Sequence, residues 1–552
     1  MDQTMRRAWA ALGADPGLLE RVSYERVSGT LPARLPVRES ARAAVAVCAL
    51  AAAELAAEVA GGAAAGPTAQ RAGGPGAEGP GAGGPGAGGP GAGGPGAGGP
   101  GAGGPGAGGP GAGGPGAGRV RAVPRVRVDD GAVATAFHSE RFATLDGRRW
   151  DGFAPLSRFW RTSDGWVRTH ANYPHHEARL LAALGLPAGS DADAVAGALA
   201  GWGAAEAEAA VYAAGGLAVA VREAAEWDAS EQGALVAERP LLELERLGDA
   251  PGPGRRTGGD GDGAAGAGAG GSGPDGLGPD GLGAPCAGVR VLDLTRVLAG
   301  PVATRTLALL GADVLRVDAP GLPESQEAHN DTGLGKRSAL LDLAHGADRR
   351  IFDELLDAAD VVVTGYRPGA LDRFGLAPEA LAERRPGLVV ARLSAWGAYG
   401  PWGGRRGFDS LVQAATGIAL LEGDEGRPGA LPAQALDHGT GYLVAAGVLR
   451  ALTERRRGGG TWRVEAALAQ TARWLTHGTE PEAPRAGATE PEAPRAGERP
   501  GRPYEPGAWL VERDAPLGRL RHALSPVSYE GGPADWARPP GRWGADEPRW
   551  TA

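Results

Sequence analysis

The sequence has very little cysteine and lysine, and each shortage argues against a class of site. Cys48 and Cys286 are the only cysteines in 552 residues and no CxxC spacing occurs, which argues against a disulfide framework or a zinc site. The single lysine is Lys336, so nearly every cationic side chain is an arginine, whose planar head binds oxyanions through paired N–H groups. The formal net charge of −9 gives no basic footprint for nucleic acid.

A long hydrophobic run is also missing. The most apolar stretch, residues 43–53, is closed by Glu54 and Glu58, whereas a membrane-spanning helix needs about 20 residues. The first nine residues show no signal-peptide pattern. We therefore expect a cytoplasmic protein without a membrane partner, in which this stretch belongs to a buried, Ala-rich helix.

Glycine and proline are present in excess, with 97 and 45 residues, and much of that excess lies in three tracts. A near-perfect GAGGP repeat covers about 73–118, a second tract covers about 251–283, and TEPEAPRAG is repeated within 479–497. Such tracts bury no apolar surface, so we predict linkers or expanded loops without chemistry.

The tracts divide the chain into predicted segments. These are a helical segment at 1–66, a Gly/Ala/Pro linker at 67–118, a small α+β domain at 119–250, a Gly-rich linker at 251–286, a large domain at 287–476, a low-complexity loop at 477–502 and a C-terminal extension at 503–552. Within the small domain, 159–169 predicts two strands around a Ser-Asp-Gly turn. Helices are predicted there over 177–184, 192–200 and 204–213.

Short Val/Leu-rich runs alternate with helical segments in the large domain. Strands are predicted over GVRVLDL (288–294), ADVLRVD (312–318), KRSALLDL (336–343), ADVVVTG (359–365) and LVVARLS (388–394), with helices over 301–310, 348–357 and 378–384. This alternation is typical of a doubly wound, mostly parallel α/β sheet, whose ligands bind beyond the carboxyl ends of the strands. The loops there carry Gly, Pro and Arg, which suit a pyrophosphate-bearing ligand. No GxGxxG or GxxxxGK[ST] motif occurs in this segment, which argues against dinucleotide and nucleoside-triphosphate sites.

An ordered set of motifs in 288–476 resembles the large domain of family III CoA-transferases. That family includes formyl-CoA:oxalate and carnitine CoA-transferases and, as a branch, α-methylacyl-CoA racemases. The matching segments are GVRVLDLTRVLAGPVATRTLALLGADVLRVDAP, GKRSALLDL, ADVVVTGYRPGALDRFGL, RRGFDSLVQAATG and LPAQALDHGTGYLVAAGVL. The resemblance implies a homodimer that takes acyl-CoA and a carboxylic acid as substrates and has no tightly bound cofactor.

The resemblance implies that Asp437 is the nucleophile, because the family's aspartate stands shortly before a Thr-Gly or Ser-Gly pair and Asp437 precedes Gly439-Thr440-Gly441. Asp437 would form a mixed anhydride and then an aspartyl-CoA thioester. We expect the start of a helix to keep its carboxylate ionised, and Gly439 and Gly441 to make room for the acyl group and offer N–H donors to an oxyanion. From the residues alone, the alternative is that Asp437 only caps the helix.

The resemblance also implies the contacts to coenzyme A. They are Leu298, Ala299, Leu341, Asp342, Leu343, Gly365, Tyr366, Arg367, Arg373, Arg406, Gly407, Phe408 and Asp409. Arg367, Arg373 and Arg406 would meet the phosphates through charge-assisted hydrogen bonds, and no metal ligand is expected. Ala319 stands where the family often has an arginine, so one phosphate contact is missing unless Arg316 or Arg296 replaces it.

Two alternatives to CoA transfer stay open. The first is an acyl-CoA racemase or isomerase, but racemases of this family have a histidine where this chain has Phe408, and a phenyl ring moves no proton. His438 is expected to face elsewhere. The second is a non-catalytic, degenerate CoA-binding protein, which Ala319 and the long insertions favour.

The parts also follow one another in an unusual order, because the small domain precedes the large one. Residues 31–55 (LPARLPVRESARAAVAVCALAAAEL) align without gaps on residues 431–455 (LPAQALDHGTGYLVAAGVLRALTER), with Val37 opposite Asp437. We therefore predict two incomplete copies that together supply one set of parts; the alternative is that two Ala-rich helices match by composition. His170, His175 and His176 are interpreted as a polar surface or interface of the small domain rather than a metal site.

Overall fold

A computed structural model describes residues 3–64, 122–149, 152–252, 284–479 and 502–551. The predicted linker at 67–118 and most of the predicted 251–286 and 477–502 segments lie outside the described residues. The described parts form one seven-stranded sheet and four smaller sheets of two to four strands.

The N-terminal segment is dominated by one long helix. Its elements are α1 (Gln3–Ala11), β1 (Val22–Glu25), β2 (Val27–Ser28) and α2 (Val37–Ala64). By length and composition, Val37–Gly61 passes as a membrane span, but 83% of its most apolar window is buried inside the molecule. Residues 43–57 are buried on every side, as expected of a core helix. The prediction of a buried, Ala-rich helix is confirmed, and the helix is longer than its apolar stretch.

Residues 122–149 pack against this N-terminal segment. They form β3 (Val126–Asp129), α3 (Asp130–Ala136), α4 (Ser139–Phe142), β4 (Thr144–Leu145) and β5 (Arg148–Arg149). Strand β3 runs parallel to β1, and a buried ion pair between Arg42 and Asp130, at 2.7 Å, joins α2 to α3.

Residues 152–237, which we call the small unit, have a three-stranded antiparallel sheet and a core of their own. Their elements are β6 (Phe159–Arg161), β7 (Trp166–Thr169), α5 (Pro174–Ala183), α6 (Ala192–Leu199), α7 (Ala204–Ala213), β8 (Ala218–Ala220), α8 (Ala224–Ala229) and α9 (Glu231–Ala237). The two predicted strands and three predicted helices are present. The next strand, β9 (Leu242–Gly248), leaves the small unit and joins the main sheet as its antiparallel edge.

Residues 284–479, which we call the sheet unit, provide the six parallel strands of the main sheet. The elements are β10 (Arg290–Leu294), α10 (Ala299–Leu309), β11 (Asp313–Asp318), α11 (Gln326–Thr332), β12 (Arg337–Leu340), α12 (Gly346–Asp357), β13 (Val361–Thr364), α13 (Pro378–Arg384), β14 (Val389–Ser394), α14 (Asp409–Ala415), α15 (Ile418–Leu421), α16 (Ala435–Gly458), β15 (Thr461–Ala467) and α17 (Leu468–Arg473). The strand order is β12-β11-β10-β13-β14-β15-β9. The expected mixed α/β class with a mostly parallel sheet is confirmed.

Both faces of the main sheet are covered, which explains its unbroken apolar runs. On one face Val291, Val361 and Val389 belong to the large core that includes α10 and α16. On the other face Leu292, Val362 and other strand residues pack with α12 and α13. The strand order reverses at β10, whose neighbours are β11 and β13, and such a reversal leaves a crevice beyond the carboxyl ends.

Helices α2 and α16 pack side by side in the large core, with a buried ion pair between Glu54 and Arg450 at 2.9 Å. Each helix begins a few residues after a Leu-Pro-Ala sequence. Along the chain, each also separates two strands that pair in parallel, β1 and β3 for α2, and β14 and β15 for α16.

The C-terminal residues cover the free edge of β12. Three strands, β16 (Arg502–Pro503), β17 (Leu510–Ala515) and β18 (Gly518–Ala523), precede an extended tail. In that tail Asp546 accepts a hydrogen bond from the Ser338 N–H at 2.7 Å and donates its own N–H to the Ser338 carbonyl at 2.8 Å. An edge covered in this way is protected from pairing with other chains.

Candidate active site

A cavity of about 780 Å³ opens beyond the carboxyl ends of the sheet, between the sheet unit and the small unit. Loops that follow β10, β11, β12, β13 and β14 line one side of it. The small unit contributes Tyr173, His175, His176 and Arg179. A volume of this size suits a cofactor or a substrate of similar dimensions.

Most residues that the sequence assigned to catalysis or coenzyme binding line this one cavity. They are Asp437, Ala299, Leu341, Asp342, Leu343, Gly365, Tyr366, Arg367, Arg373, Arg406, Gly407 and Phe408. They come from segments up to 138 positions apart, 299 to 437, and the sheet brings them together because its parallel strands all end on the same side.

Leu298 and Asp409 do not line the cavity, so their assignment as contacts is corrected. Leu298 is the buried residue that precedes α10. Asp409 is fully buried, and its Oδ2 accepts hydrogen bonds from the N–H groups of Leu436 and Asp437, each at 2.9 Å. Asp409 therefore satisfies the first turn of α16 and fixes the backbone of Asp437, a need that no cap at Gln434 meets.

Asp437 is the third residue of α16 and is only 7% exposed, with its remaining surface on the cavity. Burial, followed by the nearby carboxyls of Asp409 and Glu140, raises the pKa of Asp437 well above its usual range. This shift runs against the one expected from the helix start, because desolvation and like charges outweigh the helix dipole. A more basic carboxylate is the stronger nucleophile once it is deprotonated.

The two glycines of the Gly-Thr-Gly sequence lie inside α16, where their N–H groups belong to the helical ladder. A Cβ at Gly441 would lie 2.6 Å from the Ala299 carbonyl oxygen, so this glycine allows α16 to approach α10. Gly441 therefore serves the close packing of α16 on α10. It does not provide the space for the acyl group or the N–H donor to an oxyanion that was expected of it. At Gly439 a Cβ would meet only the Thr471 methyl at 3.5 Å.

Replacing Asp409 with asparagine is expected to move the acid limb of the pH–rate profile to lower pH. The negative charge of Asp409 raises the pKa of Asp437, so an amide that still accepts backbone N–H groups lowers it. Turnover that needs ionised Asp437 rises as pH increases through that pKa. The check is the pH dependence of kcat for Asp409→Asn, with the surface change Asp424→Asn as control; an unmoved or upward-shifted limb contradicts the assignment.

The small-unit histidines lie at the junction of the two units, with His170 and His176 buried and His175 half-buried, which agrees with the interface interpretation. His170 stacks on Phe408 with ring centroids 3.6 Å apart and an interplanar angle of 2°. His175 and His176 line the cavity. Burial, then His175 and the guanidinium groups of Arg406, Arg179 and Arg296, lowers the pKa of His176 to about 3. His176 is therefore neutral near pH 7.

The two arginines proposed to replace the missing one at Ala319 differ in position. Arg316 is fully buried and pairs with Asp318 and Glu324. Arg296 lines the cavity, but its guanidinium donates to the carbonyl oxygens of Leu322 and Pro323. Of these two arginines, only Arg296 therefore borders the space where a phosphate would lie.

His438 faces away from the cavity, as expected. Its Nε2 lies 3.3 Å from Oε2 of Glu140, and its ring stacks on Phe137 with centroids 5.2 Å apart. Phe408 lines the cavity at the position where a racemase has a histidine, so neither residue supplies a second proton-transfer group beside Asp437.

One cavity residue carries backbone strain that no sequence pattern reveals. Val297, in the turn between β10 and α10, has φ of 69°. The left-handed region costs a β-branched residue about 1–3 kcal/mol. This turn therefore holds its cavity-lining backbone in one defined conformation.

Residues 286–505 match the model of CoA-transferase family III. The resemblance drawn from the motifs is thereby confirmed. The chain is 36% identical over 202 residues to a probable fatty acyl-CoA transferase of Mycobacterium tuberculosis, covering 34% of this chain and 51% of that protein. It is also 36% identical over 193 residues to a formyl-CoA:oxalate CoA-transferase of Streptomyces coelicolor, covering 33% of this chain and 47% of that protein.

The chain is also similar to an M. tuberculosis protein of known crystal structure. The match has 38% sequence identity and a TM-score of 0.34, and it covers 35% of this chain and 56% of that one. The chain thus spans about half the length of the curated relatives it matches.

Proposed function

We propose that this protein is a CoA-transferase that moves CoA between an acyl-CoA and a carboxylic acid, with Asp437 as the nucleophile. The observation that carries the proposal is the placement of the Asp437 carboxyl on a cavity that is also lined by Arg367, Arg373 and Arg406. A nucleophile and a set of phosphate-binding cations in one space are what a CoA thioester requires. CoA is thus a substrate, and no tightly bound cofactor is part of the proposal.

In the proposed reaction the Asp437 carboxylate attacks the thioester carbonyl, the C–S bond breaks, and CoA leaves as a thiolate while a mixed anhydride forms. The thiolate then attacks the aspartyl carbonyl and releases the first acid as a carboxylate. The acceptor carboxylate attacks the resulting aspartyl-CoA thioester, and the thiolate finally attacks the acceptor carbonyl of the second anhydride. The products are a new acyl-CoA and free Asp437.

The sheet supports the proposal through its strand order. Counted along the chain, the six parallel strands lie in the order 3-2-1-4-5-6, which is the doubly wound, Rossmann-like order. The cavity lies at the point where that order reverses. Names of the relatives, a probable fatty acyl-CoA transferase and a formyl-CoA:oxalate CoA-transferase, favour acyl-CoA and carboxylic acids as the substrate class.

The chain organisation supports a site that is complete within one chain. The α2 region, with β1 and β3, has the same strand–helix–strand arrangement as the α16 region, with β14 and β15, which favours the two-copy interpretation. Val37 stands where the second copy has Asp437, so one nucleophile is present per chain. A homodimer, which the family resemblance implies, and a cytoplasmic location, which the sequence led us to expect, remain part of the proposal. Gel filtration with light scattering measures the oligomeric state.

The test is to trap the acyl-enzyme. Wild-type protein is incubated with an acyl-CoA and then with hydroxylamine or borohydride, and the peptide containing residue 437 is examined by mass spectrometry. We expect a hydroxamate or alcohol at Asp437, and no adduct in Asp437→Ala. CoA binding without any adduct supports the degenerate binding protein, and exchange of the α-hydrogen with deuterated solvent supports the racemase.

A further inference from the structure

Three arginine side chains that form no ion pair within the described residues lie where the small unit meets the sheet unit. Arg179, Arg367 and Arg406 line the same cavity, and within the described ranges no carboxylate lies within ion-pair distance of any of the three. The Arg179 guanidinium has a neutral partner, the Gly215 carbonyl oxygen at 3.2 Å. Arg367 and Arg179 both lower the pKa of Arg406 after the effect of burial, so Arg406 is repelled by each of the other two groups.

Two other arginines at this cavity are compensated by acidic side chains, whereas Arg373 has no ion-pair partner among the described residues. Arg405 pairs with Glu208 at 3.0 Å, and Arg296 lies 3.5 Å from Glu324. Like charges held together at a cost in free energy mark a place where an anion binds. Arg179, Arg367 and Arg406 are thus uncompensated, and Arg406 is close enough to the other two to be affected by their charges, so these three cations are left for a ligand.

The small unit presents further features that favour an anion at this point. Helix α5 begins at Pro174, so its first turn, which carries the positive end of the helix dipole, lies at the cavity. His176 in that turn is only 3% exposed, and its buried Nδ1 has no hydrogen-bond partner. A neutral imidazole with one unsatisfied nitrogen either donates to a bound oxyanion or accepts from its hydroxyl form.

We infer that Arg179 and His176 of the small unit, together with Arg406 and Arg367 of the sheet unit, form a subsite for a multiply charged oxyanion. Two sources share this chemistry: the phosphate groups of an acyl-CoA and the carboxylates of a dicarboxylic acid. The inference rests on the proposed function for its substrates and adds Arg179, which no family motif contains, as a binding residue. It also assigns the small unit a direct part in substrate recognition.

Two uncharged contacts help to hold the two sides of the subsite in register, beside the Arg405–Glu208 ion pair. His170 stacks on Phe408, and the Tyr212 hydroxyl donates to the Arg406 carbonyl oxygen at 2.9 Å. These contacts fix the backbone on both sides while the guanidinium groups stay available. A ligand anion that bridges Arg179 and Arg406 therefore couples the two units without moving either one.

The test compares Arg179→Gln with wild type in equilibrium binding and in turnover. The probes are CoA, pantetheine, inorganic pyrophosphate and succinate, measured by titration calorimetry. Arg161→Gln is the matched control, because Arg161 lies in the same unit, is exposed and stacks on Trp166 outside the cavity. Thermal melting of both variants establishes that they fold.

If the anion is a phosphate, Arg179→Gln lowers the affinity for CoA and for pyrophosphate by about 10-fold or more and leaves the affinity for pantetheine unchanged. If the anion is a carboxylate, the affinity for succinate falls by a similar factor and the affinity for CoA does not. In both cases Arg179→Lys recovers part of the loss, and the double variant with Arg406→Gln loses less than the sum of the two single changes.

Unchanged binding of every probe by Arg179→Gln overturns the inference, even in an active transferase. Conversely, the absence of an acyl adduct at Asp437 removes the proposed function, while loss of pyrophosphate binding in Arg179→Gln keeps the subsite. The binding and trapping experiments therefore fail independently. A raised KM for one substrate with unchanged kcat agrees with a binding role.

Discussion

Replacing Asp437 with asparagine is expected to lower CoA-transfer turnover by at least about 1,000-fold. The amide has nearly the shape of the carboxyl group but forms no anhydride, so the first covalent step is lost. The arginines of the cavity are untouched, and we expect the affinity for CoA to stay within about 3-fold of wild type. The measurements are steady-state transfer from an acyl-CoA to an acid and calorimetric titration with CoA.

Two controls sharpen this experiment. Asp437→Ala excludes slow deamidation of asparagine back to aspartate. Asp424→Asn changes a carboxylate whose side chain is 83% exposed, and its turnover is expected to match wild type. Turnover in Asp437→Ala above about a tenth of the wild-type rate is incompatible with a covalent role for this residue.

Replacing Lys336 with methionine is expected to lower the free energy of unfolding by about 3–5 kcal/mol. The Lys336 ammonium lies 3.0 Å from Oδ2 of Asp293, and both side chains are 0% exposed. It also donates to the Pro301 carbonyl oxygen at 3.0 Å, so it joins β10 to α10. Methionine fills the same volume but leaves a buried carboxylate without its cation. Urea unfolding followed by fluorescence measures the change.

The matched control is Arg349→Met, which breaks a half-buried surface pair between Arg349 and Asp353, four residues apart on α12. Its cost is expected to stay below about 1 kcal/mol. The double variant Lys336→Met with Asp293→Leu is expected to recover part of the loss, because the stranded charge is removed. A cost for Lys336→Met no larger than the control's contradicts the assignment of this pair to the core.

Five of the six parallel strands were predictable because burial on both faces produces unbroken Val/Leu runs. VVV at 361–363 and VVA at 389–391 leave no alternative to a buried strand. Strands β15 and β9 were not predicted, because they lie towards the edge of the sheet and their sequences, TWRVEAA and LELERLG, alternate with charged residues. Such alternation is compatible with a surface strand or a helix turn.

The candidate site was predictable where a residue follows a strand or belongs to a motif, as Asp437 and Arg367 do. Three features of the site could be found only from the three-dimensional structure. The raised pKa of Asp437 depends on how close Asp409 and Glu140 come in the fold. The part played by Asp409 depends on which N–H groups its buried carboxylate meets. Arg179 reaches the cavity only because the small unit docks on the sheet unit, which no local pattern encodes.

The pairing of α2 with α16 has a consequence for how the two helices tolerate change. Val37 is fully buried at the start of α2, where a carboxylate would be removed from solvent. Position 37 is thus open to other small apolar side chains, whereas the proposed function requires α16 to retain Asp437. Under that proposal α2 has a structural role only, and the covalent chemistry is confined to α16.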